Sequence, residues 1–328
     1  MVLFVTGKCL FNCYYCPISK EKKGRDVIFA DEMRVMQQAD LLEEAKAIDA
    51  TGVGITGGDP LAAIDRTIRF VRFFKREFGK EFHIHLYTMD TNVKKIIHLA
   101  KTGVDEIRFH PPMKIWGKLE RSSYNEAIAT AIEYNMDVGL EVPLIPDHYK
   151  DLIKMIKWAE SKNINFVNMN EMELSDSNEA YLKAKGYRVG KGKFYGIAGC
   201  DSTAKRILSR SWSVTVHYCT SAYKDSWQLR ERIKRRAKSV AQPWDVVTED
   251  GTIIKGVIEG SNLTKIRRIL YEDFRVPKDL IWYNRKSERL EVAPWILERI
   301  ANHLDIESYI IEEYPTSNHL EVERRKIS

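Results

Sequence analysis

The chain lacks the features of membrane-spanning and secreted proteins. No apolar run approaches the ~20 residues needed to cross a bilayer, and the start has no basic segment followed by an apolar core and a cleavage site. Cysteine is scarce, with five in 328 residues, and an odd number in a chain of this size argues against a disulfide framework. We therefore expect a cytoplasmic protein with reduced thiols and no membrane contact.

Three of the five cysteines nevertheless lie together. Cys9, Cys13 and Cys16 fall within eight residues, directly after the short apolar run Val2 to Val5. Thiolates are the preferred ligands of iron–sulfur clusters. Three of them on one tight loop bind three irons of a cubic cluster and leave the fourth iron open, so the spacing predicts a site where chemistry can start.

Two simpler interpretations stay open at this point. Cysteines are often buried as small apolar residues. A structural zinc site is the more serious alternative, because Cys200, Cys219 or a histidine can supply a fourth ligand, although no second Cys-x2-Cys hook is present. As isolated thiols, Cys200 and Cys219 are expected to be buried and inert. For Cys219, which follows His217 and precedes a helix candidate, the alternative is a hydrogen-atom donor or a transient covalent partner.

A second motif follows a small, apolar strand candidate, Gly52 to Thr56. The chain continues as Gly57-Gly58-Asp59-Pro60. Glycine lacks a Cβ, so two in succession let the backbone approach a ligand closely. The motif predicts a binding turn at the end of this strand.

Together the two motifs resemble the radical SAM superfamily, with Tyr15 as the aromatic residue before the last cysteine. The resemblance implies a [4Fe-4S] cluster on the three clustered cysteines, with the fourth iron chelated by S-adenosylmethionine and Tyr15 near the adenine. Gly57, Gly58 and Asp59 correspond to the cofactor turn, where Asp59 replaces the commoner Glu and faces the methionine ammonium. The implied chemistry is reductive cleavage to a 5′-deoxyadenosyl radical that abstracts hydrogen. It requires an external electron donor such as ferredoxin or flavodoxin.

The first predicted domain spans residues 1–187, and from its start to about residue 174 strand-like and helix-like segments alternate, as a parallel α/β fold requires. Six repeats predict a partial (β/α)6 TIM-like barrel, since a closed barrel needs eight, and this is also the shape that the resemblance implies. The strand candidates are Val2 to Thr6, Gly52 to Thr56, Phe82 to Thr88, Asp105 to His110, Asp137 to Leu144 and Asn165 to Met169.

Polar residues on the later strands are candidates for cofactor binding, because ligands in such folds lie at the carboxyl ends of the strands. These candidates are Arg108, His110, Glu141, Asn168 and Asn170. The resemblance implies that groups at these strand ends hold the ribose, carboxylate and adenine. For Glu141 the alternative is a salt bridge with Arg108, and Asn170 could equally be a capping or turn residue.

A connecting segment is predicted over residues 188–241. Residues 201–238 contain ten Lys/Arg and three Asp/Glu, in a chain whose net charge is +6. The interleaved aromatic residues are Trp212, Tyr218, Tyr223 and Trp227. Basic and aromatic side chains in this mixture are typical of RNA or other phosphate-bearing ligands. The alternative is a solvated helix face with core-facing tryptophans.

The last predicted domain, residues 242–328, contains three hairpin candidates with helices between them, which predicts an α+β appendage. The hairpins are Val246 to Gly260, Ile281 to Val292 and Tyr309 to Glu323. No metal or nucleophile motif occurs in this part of the sequence. We expect it to cover the open side of the barrel, bind substrate or contact a partner.

Over its full length the chain resembles archaeal and bacterial radical SAM proteins related to pyruvate formate-lyase activating enzyme. Three hypotheses for function follow. The first is an enzyme that modifies RNA or another phosphate-bearing molecule, and the second is a protein-modifying or activase-type enzyme. The third is a non-catalytic iron–sulfur or zinc-binding protein, against which the Gly-Gly-Asp-Pro turn argues, because a structural metal site does not need it.

Overall fold

The computed structural model describes residues 1–328. The chain forms two compact units: residues 1–44 with 50–225, and residues 45–49 with 226–328. The predicted division into 1–187, 188–241 and 242–328 stays a prediction, and residues 188–241 contribute to both units. None of the helices combines the length and apolar character needed to cross a bilayer.

The first unit is built on one nine-stranded sheet. Its strands are β1 (Val2–Phe4), β2 (Phe29–Ala30), β3 (Met33–Arg34), β4 (Gly52–Thr56), β5 (His83–Thr88), β6 (Glu106–Phe109), β7 (Asp137–Leu144), β8 (Phe166–Glu171) and β9 (Thr215–Cys219). Their order is β3-β2-β1-β4-β5-β6-β7-β8-β9. Strands β1 and β4 to β9 pair in parallel, so the predicted partial barrel is confirmed and has β9 as an additional parallel strand.

Helices follow the strands as a parallel sheet requires. They are α1 (Gln38–Ala47), α2 (Ile64–Phe78), α3 (Val93–Thr102), α4 (Ser123–Glu133), α5 (Tyr149–Ser161), α6 (Glu179–Ala184), α7 (Cys200–Leu208) and α8 (Ser221–Tyr223), and a π-helical segment spans Lys224–Leu229. In α2, Ile68, Val71 and Phe74 recur at helical spacing and are buried, while charged residues occupy the other face. Strand β7, which lies between β6 and β8, is buried along almost its whole length, as expected for a strand covered on both faces.

The second unit is α+β, as predicted. Its strands are β10 (Val246–Val247), β11 (Ile253–Ile258), β12 (Ile281–Asn284), β13 (Arg289–Val292), β14 (Ser308–Glu313) and β15 (Glu321–Lys326), and its helices are α9 (Arg230–Val240), α10 (Leu263–Glu272) and α11 (Pro294–Ile300). The three hairpins join into one antiparallel sheet of order β12-β13-β11-β14-β15, with β10 paired to β11. Apolar residues including Ile258, Leu270 and Leu297 form its core.

A buried lysine provides the first stability prediction. The Nζ of Lys255 lies 2.9 Å from Glu313, 3.4 Å from Glu291 and 3.7 Å from Asp245. Lys255→Met leaves these carboxylates without that cation and is expected to lower the free energy of unfolding by about 3 to 5 kcal/mol, measured by urea titration. Lys286→Met, on an exposed lysine of the same unit, is the control, with an expected change within about 0.5 kcal/mol. Equal effects of the two variants would contradict the prediction.

Candidate active site

The three clustered cysteines lie on the loop that follows β1. None forms a disulfide, and all three are half-buried. Burial raises the pKa of the Cys9 and Cys13 thiols, and in each case neighbouring thiols raise it further. Three free thiols whose thiolate forms would repel one another fit a site that a cationic metal centre completes. Cys200 begins α7 and Cys219 ends β9, outside this loop.

Tyr15 anchors the cysteine loop. Its ring is 8% exposed, and its hydroxyl lies 3.0 Å from Nε2 of His110, directly after β6. Burial lowers the pKa of His110 to about 4, so the imidazole is neutral at pH 7. The backbone is held as well, because Nδ2 of Asn178 donates to the carbonyl of Tyr15 at 3.1 Å and the hydroxyl of Ser177 donates to that of Cys16 at 3.2 Å.

Asn178 is a positioning residue that the motif analysis did not find. It is fully buried and also donates to the carbonyl of Glu173, while its side-chain oxygen accepts from the backbone N–H of Ser175. The only indication in the sequence is the polar run Ser175 to Asn178, which is typical of a turn. Nothing in that run indicates its contact with the cysteine loop.

Gly57 and Gly58 pack against the start of the cysteine loop. The N–H of Gly58 donates to the carbonyl of Thr6 at 2.7 Å, and that of Asp59 donates to the carbonyl of Lys8 at 2.9 Å. A Cβ on Gly57 would lie 2.5 Å from the carbonyl oxygen of Thr6, and one on Gly58 would lie 2.4 Å from that of Lys8. The close approach that requires these glycines is therefore to the chain's own backbone, and their contact with a cofactor stays a prediction.

This packing makes Gly58 intolerant of a side chain. Gly58→Ala forces the turn away from the cysteine loop and is expected to lower the free energy of unfolding by about 1 to 3 kcal/mol and to reduce the iron content after anaerobic reconstitution. Gly117→Ala is the matched control, since its Cβ would approach no atom more closely than the 3.3 Å to the flexible Asp151 side chain. If Gly58→Ala had the same stability and iron content as the control, the prediction would be wrong, and the turn could shift away from Lys8 without cost.

Asp59 connects this turn to the end of β5. It is 3% exposed. Its Oδ1 accepts from the N–H of Leu61 at 2.9 Å and the hydroxyl of Thr88 at 2.8 Å, and its Oδ2 accepts from the N–H of Met89 at 2.9 Å. Burial raises the pKa of Asp59, and these hydrogen bonds oppose the rise. A carboxylate has about four acceptor positions, so the predicted contact with a ligand ammonium still has a position available.

Glu141 lies in the interior of the sheet, opposite Asn168 on the next strand. The amide groups of Asn168 and Asn170 donate to its Oε1. Its Oε2 lies 3.5 Å from Arg108, so the ion pair given above as an alternative is present, yet this oxygen has no hydrogen-bond partner. Burial raises the pKa of Glu141, and Asn170 and Arg108 oppose the rise. A buried oxygen that has an ion pair but accepts no hydrogen bond fits a hydroxyl or ammonium group of S-adenosylmethionine.

Arg108 is held by the barrel itself. Its Nε donates to Glu106, and another guanidinium nitrogen donates to the hydroxyl of Tyr87 at 2.9 Å. Its guanidinium also lies over the ring of Phe166, 5.1 Å from the centroid. The side chain is thus fixed beside Glu141, and its contact with a cofactor stays a prediction.

Cys219 lies at the carboxyl end of β9, level with Asn170 on β8. It is buried, and burial raises the pKa of its thiol, which Lys224 opposes. The thiol therefore carries its proton at pH 7, the form that a hydrogen-atom donor requires. Next to it, Glu171 accepts from the N–H and hydroxyl of Ser221, both at 2.9 Å. Cys219 remains a candidate for chemistry.

Several side chains of the basic, aromatic segment (residues 201–238) make hydrogen bonds or ion pairs within their own unit. In the first unit, the indole of Trp212 donates to the carbonyl of Ile207 and the hydroxyl of Tyr218 to Asp201, each at 2.9 Å. In the second unit, Arg236 is 6% exposed and donates to the carbonyl of Pro315, and Arg230 pairs with Asp250 at 2.8 Å. Exposed aromatic rings occur at Tyr223 and Trp227. Binding of RNA by this segment stays a prediction.

Comparison with known proteins identifies two families. Residues 3–159 match the Radical SAM superfamily, and residues 251–327 match a domain of unknown function. A protein of Methanocaldococcus jannaschii, whose name proposes a glycyl-radical enzyme activating enzyme, is 35% identical over 340 residues, which cover 99% of this chain and 88% of that protein.

Similar folds occur among solved structures. Streptococcus suis SuiB bound to precursor peptide SuiA has a TM-score of 0.46 and 13% identity, over 72% of this chain and 55% of SuiB. The structure of anSMEcpe with bound S-adenosylmethionine and a Kp18Cys peptide has a TM-score of 0.44 and 13% identity, over 77% and 72% of the respective chains. This chain thus spans about half the length of SuiB.

The assignment to a family rests on the archaeal relative and on the match of residues 3–159. This assignment confirms the family that the cysteine motif resembles. Both comparisons include the loop that carries the three thiols. The chain belongs to the radical SAM superfamily and is a radical SAM enzyme, which uses an iron–sulfur cluster and S-adenosylmethionine.

Proposed function

We propose that this radical SAM enzyme is of the activase type and acts on a partner polypeptide. The observation that carries the proposal is the identity of 35% to the archaeal protein whose name proposes an activating enzyme for glycyl-radical enzymes. The identity extends over 99% of this chain, so the likeness is not confined to the segment that carries the cysteines. It includes the second unit, where a partner can be recognised apart from the cofactors.

In this proposal Cys9, Cys13 and Cys16 hold a [4Fe-4S] cluster and an external donor such as ferredoxin or flavodoxin reduces it. When bound, these cofactors supply reductive cleavage of S-adenosylmethionine to methionine and a 5′-deoxyadenosyl radical. Support comes from the three free, half-buried thiols on one loop. The hydrogen bond between the hydroxyl of Tyr15 and Nε2 of His110 holds that loop against the barrel.

The remaining cofactor contacts are assigned by chemistry. Asp59 has an acceptor position left for the methionine ammonium, and Oε2 of Glu141, which pairs with Arg108 at 3.5 Å but accepts no hydrogen bond, accepts one from a hydroxyl or ammonium group. Asn168 and Asn170 orient Glu141 by donating to its other oxygen. Deep burial excludes water, which strengthens each of these contacts.

RNA is the second candidate substrate. Two observations favour it. Residues 201–238 contain ten Lys/Arg but only three Asp/Glu, and the side chain of Trp227 is 58% exposed. Against it, Arg236 and Arg230 are engaged within the second unit. A polypeptide therefore has the stronger support.

Isotope transfer distinguishes the two substrates. Cells that encode the enzyme are grown in deuterated medium, and their protein and RNA are separated and incubated with reconstituted enzyme, S-adenosylmethionine and dithionite. We expect deuterium in 5′-deoxyadenosine from the protein fraction, lost after protease treatment, because the radical takes its hydrogen from a polypeptide. The Cys13→Ala variant is the control for cleavage of S-adenosylmethionine that does not depend on the cluster. Transfer from the RNA fraction alone, sensitive to ribonuclease, would overturn the proposal.

A further inference from the structure

A cavity of about 320 Å³ lies within the second unit, outside the site described above. Two tryptophans contribute to its lining. The rings of Trp244 and Trp282 are stacked, with centroids 5.9 Å apart and planes inclined by 6°. Trp244 is buried, whereas Trp282 is 53% exposed. The pair therefore offers a flat aromatic surface that a ligand can reach from solvent.

Two buried polar atoms in the lining lack hydrogen-bond partners. One is the donor Nε1 of Trp244, a residue only 8% exposed, and the other is the acceptor Oδ1 of Asp245. The nearest cation to Asp245 is Lys255, at the long distance of 3.7 Å. Buried polar groups are almost always hydrogen-bonded. An unfilled donor and an unfilled acceptor on consecutive residues of one cavity indicate a ligand that completes both.

The charges of the lining favour a cation. Its three carboxylates, Asp245, Glu291 and Glu313, share the ammonium of Lys255. Arg289 adds a second cation, which contacts only Glu291 and Glu313 among them, and Nδ1 of His319, also in the lining, lies 3.0 Å from Glu313. Three carboxylates thus meet two permanent cations, and Asp245 is the one least compensated. The same surplus of negative charge opposes the phosphates of a nucleotide.

We propose that this cavity binds an arginine side chain of the partner polypeptide. A planar guanidinium stacks on a tryptophan face and donates to Oδ1 of Asp245, and the adjoining peptide carbonyl accepts from Nε1 of Trp244. The inference rests on the proposed function in one respect, that the cation belongs to a polypeptide. The cavity itself lies far along the sequence from the cysteine loop and is formed by the second unit alone.

The test uses the full-length chain and the capped tripeptide acetyl-Gly-Arg-Gly-amide, with binding measured by calorimetry and tryptophan fluorescence. The same peptide with citrulline in place of arginine keeps the shape and removes the charge. We expect the arginine peptide to bind and the citrulline peptide to bind at least tenfold more weakly. Trp282→Ala is expected to weaken binding between about 2- and 30-fold, and Asp245→Asn by about 10-fold or more.

Matched controls are available in the same unit. Trp295→Ala removes another exposed tryptophan, and Glu323→Gln another exposed carboxylate, both outside the cavity, and neither should change the affinity. Circular dichroism establishes that each variant is folded. Because Trp282 is half exposed, its variant tests the site even where Asp245→Asn destabilises the unit.

Several outcomes would overturn the inference. These are no binding of the arginine peptide, equal binding of the citrulline peptide, or unchanged affinity in folded Trp282→Ala. Tighter binding of free L-arginine than of the capped peptide would assign the cavity to a small molecule, and preference for adenosine monophosphate would assign it to a nucleotide. The assay needs neither iron nor S-adenosylmethionine, so its failure is distinguishable from failure of the isotope-transfer experiment.

Discussion

Replacing any one of Cys9, Cys13 and Cys16 by Ala is expected to abolish the bound cluster and all cleavage of S-adenosylmethionine. Two thiolates on the loop cannot hold a cubic cluster that needs three, and no other cysteine lies on that loop. The unsubstituted protein should bind about four iron per chain after anaerobic reconstitution. Its electron paramagnetic resonance signal should change when S-adenosylmethionine is added, and the three variants should lose both properties.

Cys200→Ala is the control for this series. Cys200 is fully buried, and its thiol contacts the carbonyl of Leu144 at 3.4 Å. Its loss should therefore cost some stability and leave the iron content and cofactor cleavage unchanged. A colourless protein that holds one zinc per chain after the same treatment would contradict the cluster and restore the zinc interpretation.

The parallel barrel was predictable because each of its strands is a local pattern. Buried strands such as Gly52–Thr56 and Asp137–Leu144 are short apolar runs bounded by helices with apolar spacing. Strand β9 was predictable as a strand, but its place in the barrel was not. It is the last strand in the sheet order, and every second residue along it is exposed. Its pairing with β8 is made by backbone groups, and these are the same for every sequence.

At the candidate site, too, contacts between residues far apart in the sequence could not be predicted. The spacing of the three cysteines predicts the metal ligands, because an iron–sulfur cluster needs thiolates close together. It does not predict what holds the loop, since Asn178 reaches Tyr15 across 163 residues. Motif reasoning also assigned the Gly-Gly-Asp-Pro turn wholly to the ligand. In the structure Gly58 and Asp59 bond to backbone near the start of the loop and to the end of β5.

Asp59→Ala is therefore expected to impair both the fold and the cofactor site. The backbone N–H groups of Leu61 and Met89 and the hydroxyl of Thr88 lose their acceptor in a buried place. An unsatisfied group costs about 1 to 3 kcal/mol. With each of the three donors in the lower part of that range, the free energy of unfolding should fall by roughly 3 to 5 kcal/mol, which is large for a single substitution. Urea titration measures this loss, and Asp65→Ala, on an exposed carboxylate in the first turn of α2, should lower the free energy of unfolding by less than about 1 kcal/mol.

Asp59→Asn separates the two roles. The amide keeps one acceptor oxygen and the shape of the side chain but removes the charge. If the carboxylate also meets the methionine ammonium, the affinity for S-adenosylmethionine should fall by about 1.5 to 3 kcal/mol while the iron content stays the same. Equilibrium binding to the reconstituted variant measures this. Unchanged affinity, in a protein whose stability has fallen, would assign Asp59 to the link between the turn and β5 alone, because a lost ionic contact must weaken binding and lost internal hydrogen bonds need not.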